Sequence, residues 1–487
     1  MVEAGDAIVN LTLEHVRLMS QNSALPTNPP TAIPASFRDP AGYVFVQGDE
    51  VYRHVNAEYL PILDRLHESG LYDALVSDGS LVAHEVTQDV PGQYRVIRPE
   101  QIPYVSYPYE WSHGQLKAAA SLTLHVQQLA LKHGLSLKDA SAYNIQFIGS
   151  KARFIDTLSF EPLVAERPWV AYKQFCEHFL APLALMTYGD LASNKLLLGF
   201  LDGIPLELAS KLLPARSKLS YSLLVHLHLH AKSQSKHSDA GRDGQLQRTA
   251  NMSQERHKAL IASLSSAVEK LSLQHQQTEW SHYYHDTNYS DQAMSSKASA
   301  VKALLEQELE QGDVVLDIGA NTGRFSRIAA DCGAYVVAQD IDMLAVEKHF
   351  QALKSEGSTD ILPLHLDLTN PSPGIGWAGQ ERDSIFTRTG DGVILALALI
   401  HHLAISNNTP LQQIADVFAR LGRALIIEFV PKGDSQVDRL LSSREDIFPK
   451  YTEQGFEQAF AHYFDLVSKQ AVDGSKRILY HYRTKRG

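Results

Sequence analysis

DVVLDIGANTGRFS, residues 313–326, decides the fold of the carboxy-terminal half of this chain. The apolar run VVLDI reads as a buried strand that delivers Asp317 to its end. A turn containing Gly319 and Gly323 follows and opens directly into a helix. Glycines let the backbone approach a ligand, and a helix amino terminus offers free N–H groups. In the dinucleotide fingerprint the spacing is G-x-G-x-x-G, and its turn seats a pyrophosphate. Here the spacing is D-x-G-x-N-x-G, with an acid two residues before the first glycine. That acid repels a pyrophosphate and suits a cationic amino-acid moiety.

Outward from this motif, strands and helices alternate. Strands are expected at 335–338, 361–365, 393–399 and 424–429, and helices at 323–331, 344–353 and 411–420. Alternating βα units of this length imply a parallel sheet covered on both faces. Residues 464–468 and 477–482 flank a VDGS turn and read as an antiparallel hairpin. The second strand ends in AQDID, with Asp340 and Asp342, and the third in HLDLTNP, with Asp367. Carboxylates therefore stand at three successive strand ends.

This constellation resembles class I S-adenosylmethionine (SAM)-dependent methyltransferases, from Trp280 to about Lys485. The resemblance implies an α/β fold, a Rossmann-like doubly wound sheet with an antiparallel terminal hairpin, and SAM as cofactor. The residues it assigns to SAM are Asp317, Gly319, Asn321, Gly323, Asp340, Ile341, Asp367, Leu368 and Tyr284. Asp317 would take the amino group, Asp340 the ribose hydroxyls and Asp367 the adenine amino group, with Tyr283, Tyr284 and Tyr289 closing over the site. Asn321 departs from the commoner glycine, but Asn tolerates a left-handed turn. In LALIHHLAI, His401 and His402 follow the fourth strand, where such folds usually face substrate. Histidine titrates near working pH, so either one is a candidate general base, weighed evenly against packing or capping a backbone group. Glu428, ending the fifth strand, is a second candidate.

The amino-terminal half opens with Pro-rich extended sequence, strand-like pieces at 43–47 and 50–54, and then helices at 116–133 and 171–187. Within LKDASAYNIQFIGSKARFIDTLSFE, residues 137–161, Asp139 and Asn144 stand at D-x-x-x-x-N spacing, and a strand–turn–strand ends in Asp156. This resembles the catalytic loop and metal-binding aspartate of protein-kinase-like and aminoglycoside-phosphotransferase-like α+β folds. The resemblance implies acceptor orientation by Asp139, Mg²⁺ held by Asn144 and Asp156, and ATP as a second ligand. The departures are specific. Leu-Lys precedes Asp139, no glycine-rich phosphate loop is visible, and Arg53 stands nearest to the expected lysine. The domain is thus either a divergent kinase or a kinase-derived binding module. His226, His228 and His230 alternate in LLVHLHLHAK, which reads as a polar helix face or strand edge rather than a zinc site.

The polar stretch 231–255 separates the halves. We expect a kinase-like domain over 1–230, a polar linker and helical lead-in over 231–279, and a methyltransferase domain over 280–487. The 487 residues carry 44 Lys+Arg against 55 Asp+Glu, a net charge of −11, which argues against duplex nucleic acid as the main partner. Two cysteines exclude a disulfide framework and suggest a reducing cytoplasm. The amino terminus does not read as a secretory signal, and no apolar run is long enough to span a membrane. SYPYEWS (106–112), residues 137–161, PWVAYKQFCEHFLAPLAL and DIGANTGRFS together resemble bacterial SAM-dependent methyltransferases related to the nodulation protein NoeA. The expected function is methyl transfer, first to oxygen, on a glycan, sugar phosphate or small metabolite. The alternatives are a bifunctional kinase–methyltransferase and a non-catalytic SAM-binding scaffold.

Overall fold

The computed structural model describes residues 32–230, 253–273, 291–442 and 444–485. Tyr283, Tyr284, Tyr289 and most of the polar stretch between the halves lie outside the described residues. Among the described residues no helix is long and apolar enough to cross a membrane.

Four antiparallel strands begin the amino-terminal half. They are β1 (Gly42–Gln47), β2 (Glu50–Asn56), β3 (His84–Val90) and β4 (Tyr94–Pro99), in the order β1-β2-β4-β3. The β3–β4 hairpin has no clean apolar alternation (β3 reads HEVTQDV) and was not expected from sequence. The long helix His113–Lys132 starts at a capping box, in which Ser112 Oγ accepts from Gln115 N and Gln115 Oε1 accepts from Ser112 N at 2.9 Å. Two short ribbons follow: β5 (Leu135–Leu137) pairs with β8 (Phe160–Pro162), and β6 (Ile145–Ile148) with β7 (Lys151–Phe154). The loops between them carry Asp139, Asn144 and Asp156. The three alternating histidines lie on a helix. His226 bonds the hydroxyls of Tyr172 (2.9 Å) and Ser263 (2.8 Å), and His228 those of Ser210 (2.8 Å) and Ser217 (2.9 Å).

The carboxy-terminal half is a seven-stranded sheet. β9 (Val314–Ile318), β10 (Tyr335–Asp340), β11 (Ile361–His365), β12 (Val393–Ala396) and β13 (Ala424–Phe429) run parallel. β15 (Ile478–Thr484) lies antiparallel between β13 and β14 (Phe464–Ala471), giving the order β11-β10-β9-β12-β13-β15-β14. The doubly wound sheet and its terminal hairpin therefore have the expected arrangement. β12 ends at Ala396, three residues short of expectation, because Ala398 turns left-handed at φ 52° and redirects the chain into the His401 segment. A helix at Asp291–Glu308, not foreseen, precedes β9. The expected lead-in helix, Gln254–Lys270, packs back on the amino-terminal half, where Lys117 Nζ donates to the carbonyls of Glu269 and Leu271 at 2.7 Å.

The two halves share one core. Phe147 and Phe350 meet edge to face across the boundary, with both rings fully buried. Gly149 N donates to Tyr335 Oη (3.0 Å), Gly114 N to Glu347 Oε2 (2.7 Å) and Asp383 N to Tyr107 Oη (2.8 Å). At the centre, Glu110 is fully buried within the SYPYEWS segment. It receives the Arg388 guanidinium through both oxygens and the Ser372 hydroxyl at 2.7 Å. Arg388 also lies over the rings of Tyr107 (4.6 Å) and Tyr104 (5.2 Å).

Removing one partner of a buried pair strands the other, at a cost of about 3–5 kcal/mol. Arg388→Met should therefore lower the unfolding free energy measured by denaturant titration by that amount, and Arg388→Met with Glu110→Gln by clearly less. A single substitution with under about 1 kcal/mol effect would show that this pair does not hold the halves together.

Candidate functional site

The order of the parallel strands reverses between β9 and β12, and ligands of open α/β sheets bind at the carboxyl ends beside such a switch. The 313–326 motif lies there. Gly319 (φ 81°), Asn321 (φ 50°) and Gly323 (φ 82°) are all left-handed, so the turn alternates its handedness at every second residue. Asn321 adopts the conformation expected of it. At Gly323 a Cβ would come within 2.0 Å of the His349 ring, so only glycine fits. Above Gly319 the reverse holds: a Cβ there would meet only the Leu399 side chain, at 3.6 Å, which leaves an open cradle.

Two carboxylates face this turn. Asp317 is 2% exposed and accepts the Ser326 hydroxyl at 2.6 Å. Asp340 accepts Asn321 N at 2.7 Å and Asp342 N at 2.8 Å. Burial pushes the Asp317 carboxyl up to about 6, although Ser326 pulls the other way, and the Asp340 charge adds to the rise. Burial likewise pushes Asp340 up to about 6 against the backbone N–H groups that stabilise its ionised form. Neither forms a salt bridge among the described residues. The Lys297 charge only partly offsets the burial of Asp317, and two desolvated acids without a salt bridge among the described residues fit an amino-acid-bearing cationic nucleoside such as SAM. Ile341, at the end of β10, keeps 58% of its surface exposed, an apolar ledge beside the same cradle. Asp342 instead caps the helix Met343–Glu356 through Leu344 N (2.9 Å). Asp367 accepts Thr369 N (2.8 Å) and Thr369 Oγ1 (2.6 Å) in the turn after β11, with the half-buried Leu368 between them.

On the other side of the switch, His401 is fully buried, and neither ring nitrogen has a hydrogen-bond partner among the described residues. Its ring lies 4.1 Å from that of His402, which is half-buried. Burial, with the Arg477 charge, lowers His402 to about 4, and burial holds His401 well below the usual range, so both are neutral at pH 7. Glu428 is placed differently from the expectation of a base. Fully buried, it accepts from Lys297 Nζ at 2.8 Å and lies 3.6 Å from Arg477. It is the counter-ion of two buried cations. Lys297 and Arg477 are site neighbours that sequence reading missed, because a buried lysine in the polar-looking helix Asp291–Glu308 carries no local signal.

Asp139, Asn144 and Asp156 line one cleft of about 860 Å³. Its walls come from the β1–β4 sheet, the ribbon loops and Glu381–Asp383 of the other half. Magnesium does not fit these residues as they stand. Asp156 is paired with Arg53 and also accepts the Ser159 hydroxyl and Leu158 N (3.0 Å), while Asn144 Nδ2 donates to Ser159 Oγ at 3.1 Å. Among the described residues no group of three or more His, Cys, Asp or Glu side chains is arranged to hold a metal ion. The expectation of ATP and Mg²⁺ gains no support.

An acid whose folded-state pKa is raised from about 3.9 to about 6 destabilises the ligand-free protein as pH rises through that window, and the full penalty is present above it. For Asp317 this is about 3 kcal/mol at pH 7. Asp317→Asn, which keeps an acceptor for Ser326, should raise the melting temperature of the ligand-free protein at pH 7, have little effect near pH 4, and weaken SAM binding. A lower melting temperature at pH 7 would mean that the carboxylate is compensated after all.

No protein-family model matches the chain. Among solved structures it is similar to the PH0226 protein from Pyrococcus horikoshii OT3 (20% identity, 42% of this chain and 99% of that one, TM-score 0.31). Another is the N-methyltransferase NodS from Bradyrhizobium japonicum WM9 (12% identity, 40% and 99%, TM-score 0.29). Nodulation protein NoeA of Rhizobium meliloti (strain 1021) is 35% identical over 462 residues, 93% of this chain and 96% of the relative. That correspondence spans both halves of the chain, and the chain belongs to the family of the nodulation protein NoeA.

Proposed function

We propose that this chain is a SAM-dependent methyltransferase whose carboxy-terminal half holds the cofactor and whose acceptor is a hydroxyl of a glycan, sugar phosphate or small metabolite. The observation that carries the reading is the pair of desolvated carboxylates, Asp317 and Asp340, at the left-handed turn beside the sheet's switch point. When bound, SAM supplies an electrophilic methyl group on a sulfonium. Asp317 would hold its amino group, Asp340 its ribose, and Ile341, Asp367 and Leu368 its base, with Gly319 leaving room for the chain to approach. Tyr284 completes the set proposed from sequence. His402 is the base we favour: it is neutral at pH 7 and half-buried, so it can take the acceptor's proton. His401 supports its ring from beneath. Glu428 neutralises Lys297 and Arg477. Methyl transfer otherwise asks for in-line positioning and exclusion of water.

For the amino-terminal half we propose kinase-like descent, supported by the convergence of Asp139, Asn144 and Asp156 in one cleft between a sheet and a helical part. The domain limits 1–230, 231–279 and 280–487 belong to the same proposal, as does a cytoplasmic setting, which the free Cys176 and Cys332 suit.

The pH behaviour separates the two site roles. Because His402 titrates at about 4, kcat should stay flat from pH 8 down to about 5, whereas KM for SAM should rise below about 6 as Asp317 and Asp340 protonate. His402→Ala should lower kcat about 100-fold and leave the Kd for SAM within about twofold. Equal loss of both would assign His402 to structure, and absence of any SAM binding by the purified protein would sink the proposed function.

A further inference from the structure

The carboxyl end of β11 is not bounded by its own half alone. The short helical turn Leu191–Lys195 of the amino-terminal half lies against it, and Lys195 Nζ donates to the His365 carbonyl at 3.5 Å. His365 is the last residue of β11 and stands two positions before Asp367. It is tied to the neighbouring strand end as well, because its Nε2 bonds the Ile341 carbonyl at 3.0 Å. The amino-terminal half therefore places a cation beside the strand ends proposed to hold the base of SAM.

That placement is built into the fold. Asp190 caps the turn, its Oδ1 accepting Ala192 N at 2.8 Å. The adjoining Asn194 is fully buried, and its Nδ2 donates to the carbonyls of Tyr109 (3.1 Å) and Trp111 (3.0 Å). Lys195 is thus locked to the segment that carries Glu110. Burial lowers the Lys195 pKa, while the Glu110 and Asp367 charges oppose that shift. Glu110 is already satisfied by Arg388, and Lys195 forms no salt bridge among the described residues. An ammonium carries three N–H donors, and the bond to His365 is a long one. Lys195 is therefore a half-buried cation with donors to spare, close enough to feel the charge of an acid with which it makes no ion pair.

A ligand that suits both groups accepts on one atom and donates from the next. Adenine offers that pair, since its exocyclic amino group donates beside a ring nitrogen that accepts. We propose that Lys195 is a cofactor-binding residue supplied by the amino-terminal half, its ammonium donating to the adenine ring nitrogen next to the amino group from which Asp367 accepts. The inference rests on the proposed SAM site and makes that site composite. The carboxy-terminal half reads the amino group, and the ring nitrogen is read from the other half.

The test measures Kd by calorimetry on the full chain. Its probes are S-adenosylhomocysteine and the 1-deaza and 7-deaza analogues, each replacing one ring nitrogen beside the amino group by C–H. The wild-type chain should bind one analogue about tenfold more weakly than the parent, the loss expected for a charged hydrogen bond. Lys195→Met keeps much of the side chain's length and removes the donor. It should weaken S-adenosylhomocysteine about tenfold and bind that same analogue within about twofold of wild type. Unchanged binding of the parent by Lys195→Met, or an equal loss for the parent and both analogues, would overturn the inference and leave the SAM site standing. So would equal wild-type affinity for all three probes, a result that does not depend on any variant folding. No binding of the parent by the wild-type chain would overturn the proposed function itself, and this inference with it.

Discussion

The buried pairing of Glu110 with Arg388 is the constraint on which the arrangement of the two halves depends. Each group alone would be stranded in an apolar interface, so each half is complete only against the other. The pair also fixes secondary placements. Glu110 closes a tight turn by accepting Tyr107 N at 2.9 Å, and Arg388 starts from the segment that joins β11 to β12. The Tyr107 hydroxyl then holds Asp383 N, which sets the 381–383 wall of the amino-terminal cleft. One ion pair thereby connects the cleft in the first half to the loop between two site-bearing strands in the second.

Around the sheet's switch point, charges are treated in two opposite ways. Lys297, Glu428 and Arg477 are buried together, with the half-buried Asp434 against Arg477, and form a self-neutralised block. Asp317 and Asp340 are buried nearby without a salt bridge among the described residues, and their raised pKa values record the cost. Desolvated carboxylates with raised pKa values cluster where binding or chemistry takes place, which makes this pair the candidate contact for a cationic ligand. In the first half a single cation, Arg53, is shared by two carboxylates, Asp156 and Asp39.

Much of the carboxy-terminal half was legible because its signals are local. The apolar strands are buried on both faces and read as continuous runs, and Gly323 marks the one position where a side chain would strike His349. Strand-end acids at 317, 340 and 367 follow from the same pattern. The β3–β4 hairpin was not legible, since half-exposed strands with mixed polar sequence carry little period-two signal. From sequence, Glu428 is a candidate base at a strand end. Its partners, Lys297 and Arg477, lie 131 and 49 residues away, and no spacing rule connects them.

The sequence by itself determined the parallel sheet, its closing hairpin, the left-handed turn at 319–323 and the identity of the acids that the strands deliver. These follow from periodicity and from backbone sterics, which act over a few residues. Only the tertiary structure decided which acids are compensated. It paired Arg53 with Asp156, gave Glu428 to Lys297, sealed Glu110 against Arg388 and, among the described residues, left Asp317 and Asp340 without a salt bridge. The physical reason is that desolvation and charge pairing depend on which distant segments meet in space, and the same carboxylate is a counter-ion or a binding group according to that meeting.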